Sequence, residues 1–187
     1  MIGVLALQGN FAMHAAACMQ AGARVQLIKK PEQLSEIDGL IFPGGESTVM
    51  LKHFELQPEW WPALNAFHDS GKAMLGTCAG LILLAKNVQP DQKSLGFLDV
   101  TVQRNAYGRQ LDSHEVHARF ELEGERCEID MPFIRAPKII EIGSGIKPIG
   151  WVGDQIVMVQ QGAILGAACH PEASTARIHH YFLTLAK

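Results

Sequence analysis

The chain has 187 residues and a mass of 20.5 kDa, which predicts one compact domain over residues 1–187. Its formal net charge of -3 at pH 7 and its pI near 6.2 argue against a surface for nucleic acid or anionic membranes. No apolar run approaches the roughly 20 residues of a membrane span. The amino terminus lacks the basic residues of a signal peptide and the cysteines form no C-x-x-C pair, so we expect a reduced, cytoplasmic protein.

The first part of the chain alternates apolar strands with helices. Strands are predicted at residues 2–7, 24–28, 39–42 and 73–77, and helices up to about residue 22 and at residues 31–36, 59–70 and 79–85. The glycine loop Pro43-Gly44-Gly45 separates the third strand from Ser47, a candidate helix cap. Strands that are apolar on both faces and separated by helices are typical of a parallel sheet covered on both sides. We therefore predict a doubly wound α/β unit.

Beyond residue 86 the pattern changes to short strands joined by turns. These strands are predicted at residues 100–104, 115–122, 128–135, 139–142, 149–152 and 155–161. We expect them to extend the sheet and to add an antiparallel layer. A buried strand at residues 164–169 and a final helix at residues 174–185 complete a mostly parallel sheet flanked by helices.

The candidate nucleophile is Cys78, where the strand at residues 73–77 meets the helix at residues 79–85. The sequence Gly76-Thr77-Cys78-Ala79-Gly80 is the cysteine counterpart of the G-x-S-x-G nucleophile elbow, which lifts a nucleophile to the carboxyl edge of a sheet. The N–H groups and the positive dipole end of the following helix favour a thiolate there. The alternative is a small, packed cysteine between two glycines, and the turn alone does not separate the two interpretations.

The tripeptide His170-Pro171-Glu172 follows the buried strand at residues 164–169 and is expected at the same edge of the sheet. A histidine near a thiol accepts its proton, and a carboxylate on the other ring nitrogen fixes the tautomer and stabilises the imidazolium. In an extended segment residues i and i+2 project to one side, so we expect Glu172 to reach the ring of His170. Alone, the tripeptide also fits an ordinary loop; together with the elbow it predicts a catalytic pair.

Two further features favour a substrate site beside the cysteine. The glycine loop Pro43-Gly44-Gly45 can bring a backbone N–H close to a substrate oxygen, with the N–H of Ala79 as the second donor of an oxyanion hole. The loop lacks the lysine of a P-loop, so phosphate binding is the weaker interpretation. Arg104 and Arg135, each near a strand end, carry the planar two-donor group that binds carboxylates, although most arginines are surface residues.

Other candidate sites are weaker, and we expect no metal. The sequence His114-Glu115-Val116-His117 lacks the H-E-x-x-H spacing of helical zinc sites, and a strand would turn its two histidines to opposite faces. His179 and His180 are expected on the final helix, either exposed to solvent or packed. Cys169 lies in an apolar strand and is expected to be buried and unreactive.

Segments along the whole chain, in the same order, resemble those of one enzyme family. They are GVLALQG at the start, FPGGEST after the third strand, GTCAG at the elbow, RNAYGRQ around Arg104, FIRAP around Arg135 and HPE near the end. Together they are similar to the glutaminase subunits of pyridoxal phosphate synthase, which are class I (triad) glutamine amidotransferases.

The resemblance implies a role for each matching residue. Cys78 would be the nucleophile with His170 and Glu172 as its triad partners, and the N–H groups of Gly45 and Ala79 would form the oxyanion hole. Glutamine would be bound by Gly45, Glu46, Ser47, Arg104, Ile134 and Arg135.

The implied reaction is hydrolysis of the glutamine side-chain amide through a glutamyl thioester. The ammonia would pass to a barrel-shaped synthase subunit in a large hetero-oligomer. Pyridoxal phosphate would then be the product of the complex, and no cofactor is expected on this chain.

Two other functions stay open at the level of sequence. One is a different cysteine enzyme on a similar elbow, such as a peptidase or a glutaminase serving another synthase, and the other is a non-catalytic scaffold. The complete Cys-His-Glu set argues against a scaffold, and the RNAYGRQ and FIRAP segments argue against the other enzymes.

Overall fold

A computed structural model describes residues 1–106, 114–133 and 136–186 of the chain. Its α-helices are α1 (Phe11–Gln20), α2 (Ser47–Leu56), α3 (Trp60–Asp69), α4 (Ala79–Leu84) and α5 (Arg177–Leu185). Short 3-10 helices cover Pro31–Glu36 and Pro171–Ala173. The strands are β1 (Ile2–Leu5), β2 (Val25–Ile28), β3 (Gly39–Phe42), β4 (Ala73–Thr77), β5 (Ala85–Gln89), β6 (Leu98–Gln103), β7 (His114–Leu122), β8 (Glu125–Phe133), β9 (Lys138–Ile142), β10 (Lys147–Val152), β11 (Gln155–Gln161) and β12 (Ile164–Ala167).

Nine of the strands form one mixed sheet in the order β2-β1-β3-β4-β12-β11-β10-β7-β8. The first five in this order run parallel, and the others are antiparallel to their neighbours. A smaller sheet has the order β5-β6-β9. The predicted fold class, a mostly parallel sheet with added antiparallel strands, is confirmed.

Apolar layers cover both faces of the parallel part of the sheet. On one face α2, α3 and α4 pack through residues such as Phe54, Trp60 and Leu64, and on the other α1 and α5 pack through Cys18 and Phe182. The strands β1, β3, β4 and β12 are buried along their whole length, as expected for strands covered on both faces. Their carboxyl ends meet at one edge, which brings the loops after β1, β3, β4 and β12 together.

Several element boundaries differ from the prediction. The helix predicted at residues 79–85 ends at Leu84, and the chain continues directly into β5, a strand that the sequence pattern did not indicate. All six residues of α4 are buried, so no change from an apolar to a polar face marks its end. The strands β1 and β12 each end two residues before their predicted ends, and β8 begins three residues before its predicted start, at Glu125.

Two local predictions were wrong. Ser47 does not cap α2: it is the first helical residue, follows Glu46, and donates its hydroxyl hydrogen to Oε1 of Gln92 at 3.2 Å. The segment from His170 to Glu172 is not extended, because Pro171 opens a 3-10 helix, and its fixed φ suits the first helical position. The final helix consequently begins at Arg177 rather than at residue 174.

The longest helices in the described part of the chain have ten residues, and none of them combines the length and the apolar character that a membrane span requires.

The elbow at Cys78 depends on a very close approach between α4 and the sheet. A Cβ atom at Gly80 would lie 2.0 Å from the carbonyl oxygen of Phe42 at the end of β3, and one at Gly76 would lie 2.6 Å from the carbonyl oxygen of Gly80. Both neighbours are backbone atoms, which cannot rotate away. The two glycines of the elbow are therefore required by the distance between backbones.

We predict that Gly80→Ala destabilises the fold by about 3 kcal/mol or more, because the added methyl group must push α4 away from β3. In an uncrowded helix the same change would stabilise the protein by up to about 1 kcal/mol. A decrease in the free energy of unfolding therefore indicates crowding at Gly80. Gly145→Ala is the control, since its Cβ would meet nothing within 4 Å, and it should change stability by less than about 0.5 kcal/mol. Urea unfolding measures both, and equal stability of the two variants would contradict the proposed crowding.

Candidate active site

Cys78 occupies the predicted turn between β4 and α4. Its backbone has φ 48° and ψ −102°, a conformation that costs a non-glycine residue on the order of 1–3 kcal/mol. The N–H of Cys78 donates to the carbonyl oxygen of Ala167 at 2.8 Å, and its own carbonyl accepts from Ile82 at 3.2 Å. The strained turn is thus held from both sides, by the neighbouring strand and by the first turn of α4.

His170 and Glu172 follow β12 at the same edge of the sheet. Nδ1 of His170 lies 2.9 Å from Oε1 of Glu172, and both side chains are buried. An ionised carboxylate only accepts hydrogen bonds, so Nδ1 donates and Nε2 is left for another partner. Burial lowers the pKa of His170, but the neighbouring Cys78 and the hydrogen bond with Glu172 outweigh burial and raise this pKa well above its usual value. The imidazole is therefore protonated near neutral pH.

The carboxyl group of Glu172 is ionised at neutral pH. Burial raises its pKa, but the hydrogen bond from His170 and the charge interactions with the protonated forms of His14 and His170 outweigh burial, so the pKa lies below its usual value. The result is a buried carboxylate paired with a protonated imidazole, beside the side chain of Cys78.

Cys78 and His170 line a cavity of about 420 Å³. Its wall contains further residues that the sequence singled out. The full lining is Gln8, Asn10, Gly45, Glu46, Ser47, Cys78, Ala79, Ile82, Arg104, Asn105 and His170. Glu172 lies behind His170 and does not line the cavity.

The glycine loop after β3 packs directly against the histidine and the cysteine. A Cβ atom at Gly44 would lie 2.5 Å from Cε1 of His170 and 3.4 Å from Cβ of Cys78. The carbonyl oxygen of Gly44 accepts from the N–H of Asn10 at 2.9 Å, and Oε1 of Gln8 accepts from the N–H of Glu46 at 2.7 Å. The loop after β1 thus holds the loop after β3 against the cavity. The oxyanion roles of Gly45 and Ala79 stay predictions.

Two opposite charges stand on another part of the cavity wall. Arg104 follows β6 directly, and its backbone N–H donates to the carbonyl oxygen of Gln89 at 2.7 Å. Its Nη2 lies 3.9 Å from Oε1 of Glu46, which is about half exposed. A guanidinium and a carboxylate side by side can bind the α-carboxylate and α-ammonium groups of an amino acid.

Two predicted substrate-binding residues, Ile134 and Arg135, lie outside the described residues. The same holds for residues 107–113, which contain part of the RNAYGRQ segment.

A family model described as the SNO glutamine amidotransferase family matches residues 4–186. The chain belongs to this family. The pyridoxal 5'-phosphate synthase subunit PdxT of Halalkalibacterium halodurans is 44% identical over 188 residues, which cover 100% of this chain and 94% of that protein. The protein of the same name from Pyrococcus furiosus is 44% identical over 197 residues, with 97% of this chain and 96% of that protein covered.

Solved structures agree with the family. The crystal structure of a glutamine amidotransferase aligns with a TM-score of 0.91 at 40% identity, over 99% of this chain and 98% of that chain. The structure of PurLQS from Thermotoga maritima aligns with a TM-score of 0.72 at 17% identity, over 100% of this chain and 98% of that chain. At such low identity the second alignment shows the shared fold alone.

Some polar residues at or beside this amidotransferase site were not recognised from the sequence as part of it. Gln8 and Asn10 looked like turn residues after β1, although the carboxyl end of a parallel strand was a usable signal. His14 is buried in α1, with Nε2 2.9 Å from Oγ1 of Thr77 and 3.3 Å from Oε2 of Glu172. A single histidine in an alanine-rich helix gave no signal for this contact.

The sequence left open whether His179 is exposed to solvent or packed, and the structure shows that it is packed. Its side chain is fully buried, and its Nε2 lies 2.8 Å from Nδ1 of His14. Its neighbour His180 is exposed.

The competing sites stay unsupported in this amidotransferase. His117 is exposed on β7, between Glu128 and Asp130, and among the described side chains no three His, Cys, Asp or Glu residues form a group suited to a metal ion. Cys169 is fully buried, as expected, and burial raises the pKa of its thiol to about 12, which favours an unreactive cysteine.

We predict that stability falls as the pH drops below 6.5. Burial lowers the pKa of His14 to about 4 and that of His179 to about 3, whereas both titrate near 6.5 in the unfolded chain. Below pH 6.5 the unfolded chain binds two protons that the folded chain does not. The free energy of unfolding should therefore decrease by up to about 1.4 kcal/mol per pH unit for each histidine.

The raised pKa of His170 has the opposite effect on the pH dependence of stability. Its contribution to the free energy of unfolding is complete below pH 6.5 and is lost as the pH rises towards the pKa of His170 in the folded protein. Urea unfolding between pH 5 and pH 9 should thus show maximal stability near pH 6.5. His179→Gln should reduce the acid slope, and the exposed neighbour His180→Gln should leave it unchanged. A flat profile from pH 5 to 6.5 in the unaltered protein contradicts buried neutral histidines.

Proposed function

We propose that this member of the SNO family hydrolyses L-glutamine to L-glutamate and ammonia as the glutaminase subunit of a pyridoxal 5'-phosphate synthase. The observation that carries the proposal is the cavity shared by Cys78 and His170, with Glu172 at 2.9 Å from the far ring nitrogen of the histidine. In this proposal residues 1–187 act as one glutaminase domain. Cys78 acts only as a free thiol, so the reaction belongs in a reducing compartment, the cytoplasm.

Cys78 is the nucleophile in the first half of the reaction. In the proposal His170 has already taken the proton of Cys78, so the sulfur attacks the side-chain amide carbon of glutamine as a thiolate. The resulting oxyanion accepts hydrogen bonds from the N–H groups of Gly45 and Ala79. The first N–H groups of a helix have no partner within the helix, so the N–H of Ala79 is available for this role. Collapse of the tetrahedral intermediate breaks the C–N bond and leaves a glutamyl thioester on Cys78.

His170 supplies and removes the protons. Its protonated ring donates to the departing nitrogen, which leaves as ammonia, and the neutral ring then accepts a proton from the water that attacks the thioester. Glu172 keeps the ring in one tautomer and stabilises its protonated form. Collapse of the second intermediate expels the Cys78 thiolate and leaves His170 again protonated, and the carboxylic acid that forms loses its proton to solvent as glutamate.

Arg104 and Glu46 bind the end of glutamine that does not react. The guanidinium of Arg104 fits the α-carboxylate, and the carboxylate of Glu46 fits the α-ammonium group. Gly45 and Ser47 contribute from the same loop, and Ile134 and Arg135 complete the site by the resemblance to the family. The proposed substrate thus spans the cavity between the charged wall and the thiol.

The proposed partner is a synthase subunit that receives the ammonia. The relatives that are 44% identical are named as subunits of pyridoxal 5'-phosphate synthase. Ammonia that escapes into water is protonated and loses its nucleophilicity, so the two subunits must be docked when it is released. We expect a barrel-shaped partner and a large hetero-oligomer, with pyridoxal phosphate as its product.

Cys78→Ala should reduce glutamate release by about a thousandfold or more, because the covalent route is lost. The assay measures glutamate from glutamine with and without the synthase subunit, which should increase the rate. Cys127→Ala is the control, since this cysteine is half-buried on β8 and outside the cavity. Turnover that survives Cys78→Ala, or none in the unaltered complex, would sink the proposal. Turnover that does not respond to the synthase subunit instead favours another cysteine amidase.

Arg104→Ala should raise the KM for glutamine by about 10- to 100-fold, the usual cost of a lost hydrogen bond to a charged group. The rate at which iodoacetamide alkylates Cys78 should stay unchanged, because the thiol and His170 are untouched. Arg119→Ala, on the exposed face of β7, is the matched control and should alter neither quantity. If alkylation and glutamine binding fall together in Arg104→Ala, the arginine supports the fold and does not bind substrate.

A further inference from the structure

A cluster of buried polar side chains lies behind Glu172, on the side away from the cavity. Its members are His14 from α1, Thr77 at the end of β4, Glu172 itself and His179 from α5. Both histidines and Thr77 are fully buried, and α1 and α5 otherwise contribute apolar residues to this layer. A polar group is costly to bury among such neighbours, so its contacts need an explanation.

The contacts fix the tautomer of His14. Its Nε2 faces Oγ1 of Thr77 at 2.9 Å and Oε2 of Glu172 at 3.3 Å. A carboxylate only accepts hydrogen bonds, so a lone pair on Nε2 would be repelled by Oε2, and Nε2 must carry the hydrogen. Nδ1 of His14 then has to accept, and Nε2 of His179 donates to it across 2.8 Å.

The two oxygens of the Glu172 carboxylate are held differently. Oε1 accepts from Nδ1 of His170 at 2.9 Å and from Nδ2 of Asn10 at 3.4 Å. Oε2 is buried and makes no well-aligned hydrogen bond in the described part of the chain, so the contact with His14 is mainly electrostatic. Nε2 of His14, 3.3 Å from this oxygen, carries a hydrogen with a partial positive charge, which favours the observed orientation of the carboxylate.

We infer that His14 is a positioning residue: the partial positive charge of its Nε2–H attracts Oε2 of Glu172, so that Oε1 stays on His170, and His179 keeps His14 in the required tautomer. The inference rests on the proposed glutaminase function of the same site. His14 touches neither the substrate cavity nor the reacting sulfur, so it acts only through Glu172.

The titratable groups that face His14 are Glu172 from the 3-10 helix, His179 from α5 and, one contact further, His170 after β12. Thr77, the neighbour from β4, does not titrate. Near neutral pH burial keeps His14 and His179 uncharged, since it lowers the pKa of each. The cluster therefore acts through a neutral donor and adds no charge to the pair of His170 and Glu172.

The test compares His14→Gln with His14→Asn and His14→Leu in the complex with the synthase subunit. The amide nitrogen of glutamine can take the place of Nε2, whereas the shorter asparagine amide corresponds to Nδ1 and cannot reach Oε2. We expect kcat to fall about 10- to 100-fold in His14→Leu and His14→Asn, with KM within about twofold. His14→Gln should recover most of kcat. The asparagine and glutamine variants carry the same group, so their comparison remains decisive if the leucine variant does not fold.

The pH dependence supplies a second readout that loss of packing would not change. A loosened Glu172 stabilises the protonated ring of His170 less, so the alkaline limb of kcat/KM should move to lower pH in His14→Leu and His14→Asn. The pH dependence of Cys78 alkylation by iodoacetamide should move in the same direction. Cys18→Ala, buried on α1 one turn from His14, is the packing control and should reduce stability without moving either profile.

The inference is overturned if all three variants keep the kcat and pH profiles of the unaltered chain, or if His14→Gln is as impaired as His14→Asn. Failure of the proposed function looks different, because the unaltered complex would then release no glutamate. In that case the alkylation profile of Cys78 still decides whether His14 acts on the histidine through Glu172.

Discussion

The parallel pairing of β4 with β12 is the constraint on which the site depends. Its register sets Thr77 opposite Ala167, so the cysteine that follows one strand and the histidine that follows the other emerge at the same level of the sheet. The same pairing supplies the carbonyl of Ala167 that holds the N–H of Cys78 in its strained turn. One pair of strands therefore determines both the backbone conformation of Cys78 and the position of His170 relative to it.

The glycine loop after β3 and the loop after β1 line the cavity beside Cys78 and His170. The loop after β3 approaches His170 so closely that only a residue without a side chain fits at Gly44. Gln8 and Asn10, from the loop after β1, hold that loop by hydrogen bonds to its backbone. The ends of four neighbouring strands thus contribute to one wall, and the candidate catalytic residues follow buried strands directly or within a few residues.

Much of the fold could be predicted from the sequence, because strands buried on both faces and a glycine-flanked cysteine have clear physical signatures. The pairing of β4 with β12 could not, since the hydrophobic period describes each strand but not its neighbour. The strand β5 was missed because α4 is apolar throughout and shows no end. His170 and Glu172 were predicted to meet, but the contact arises from a turn at Pro171 and not from an extended segment. His14 could not be found at all, because its partners come from distant parts of the chain.

The polar cluster behind Glu172 also has a consequence for the order in which the chain becomes competent during synthesis. Glu172 is contacted by Asn10 and His14 from the first helix region and, through His14, by His179 from the last helix. A nascent chain that already contains the elbow and its cysteine still lacks His170 and Glu172. Cys78 is therefore synthesised long before His170, Glu172 and His179, and the predicted triad is incomplete until the chain has been extended past Glu172.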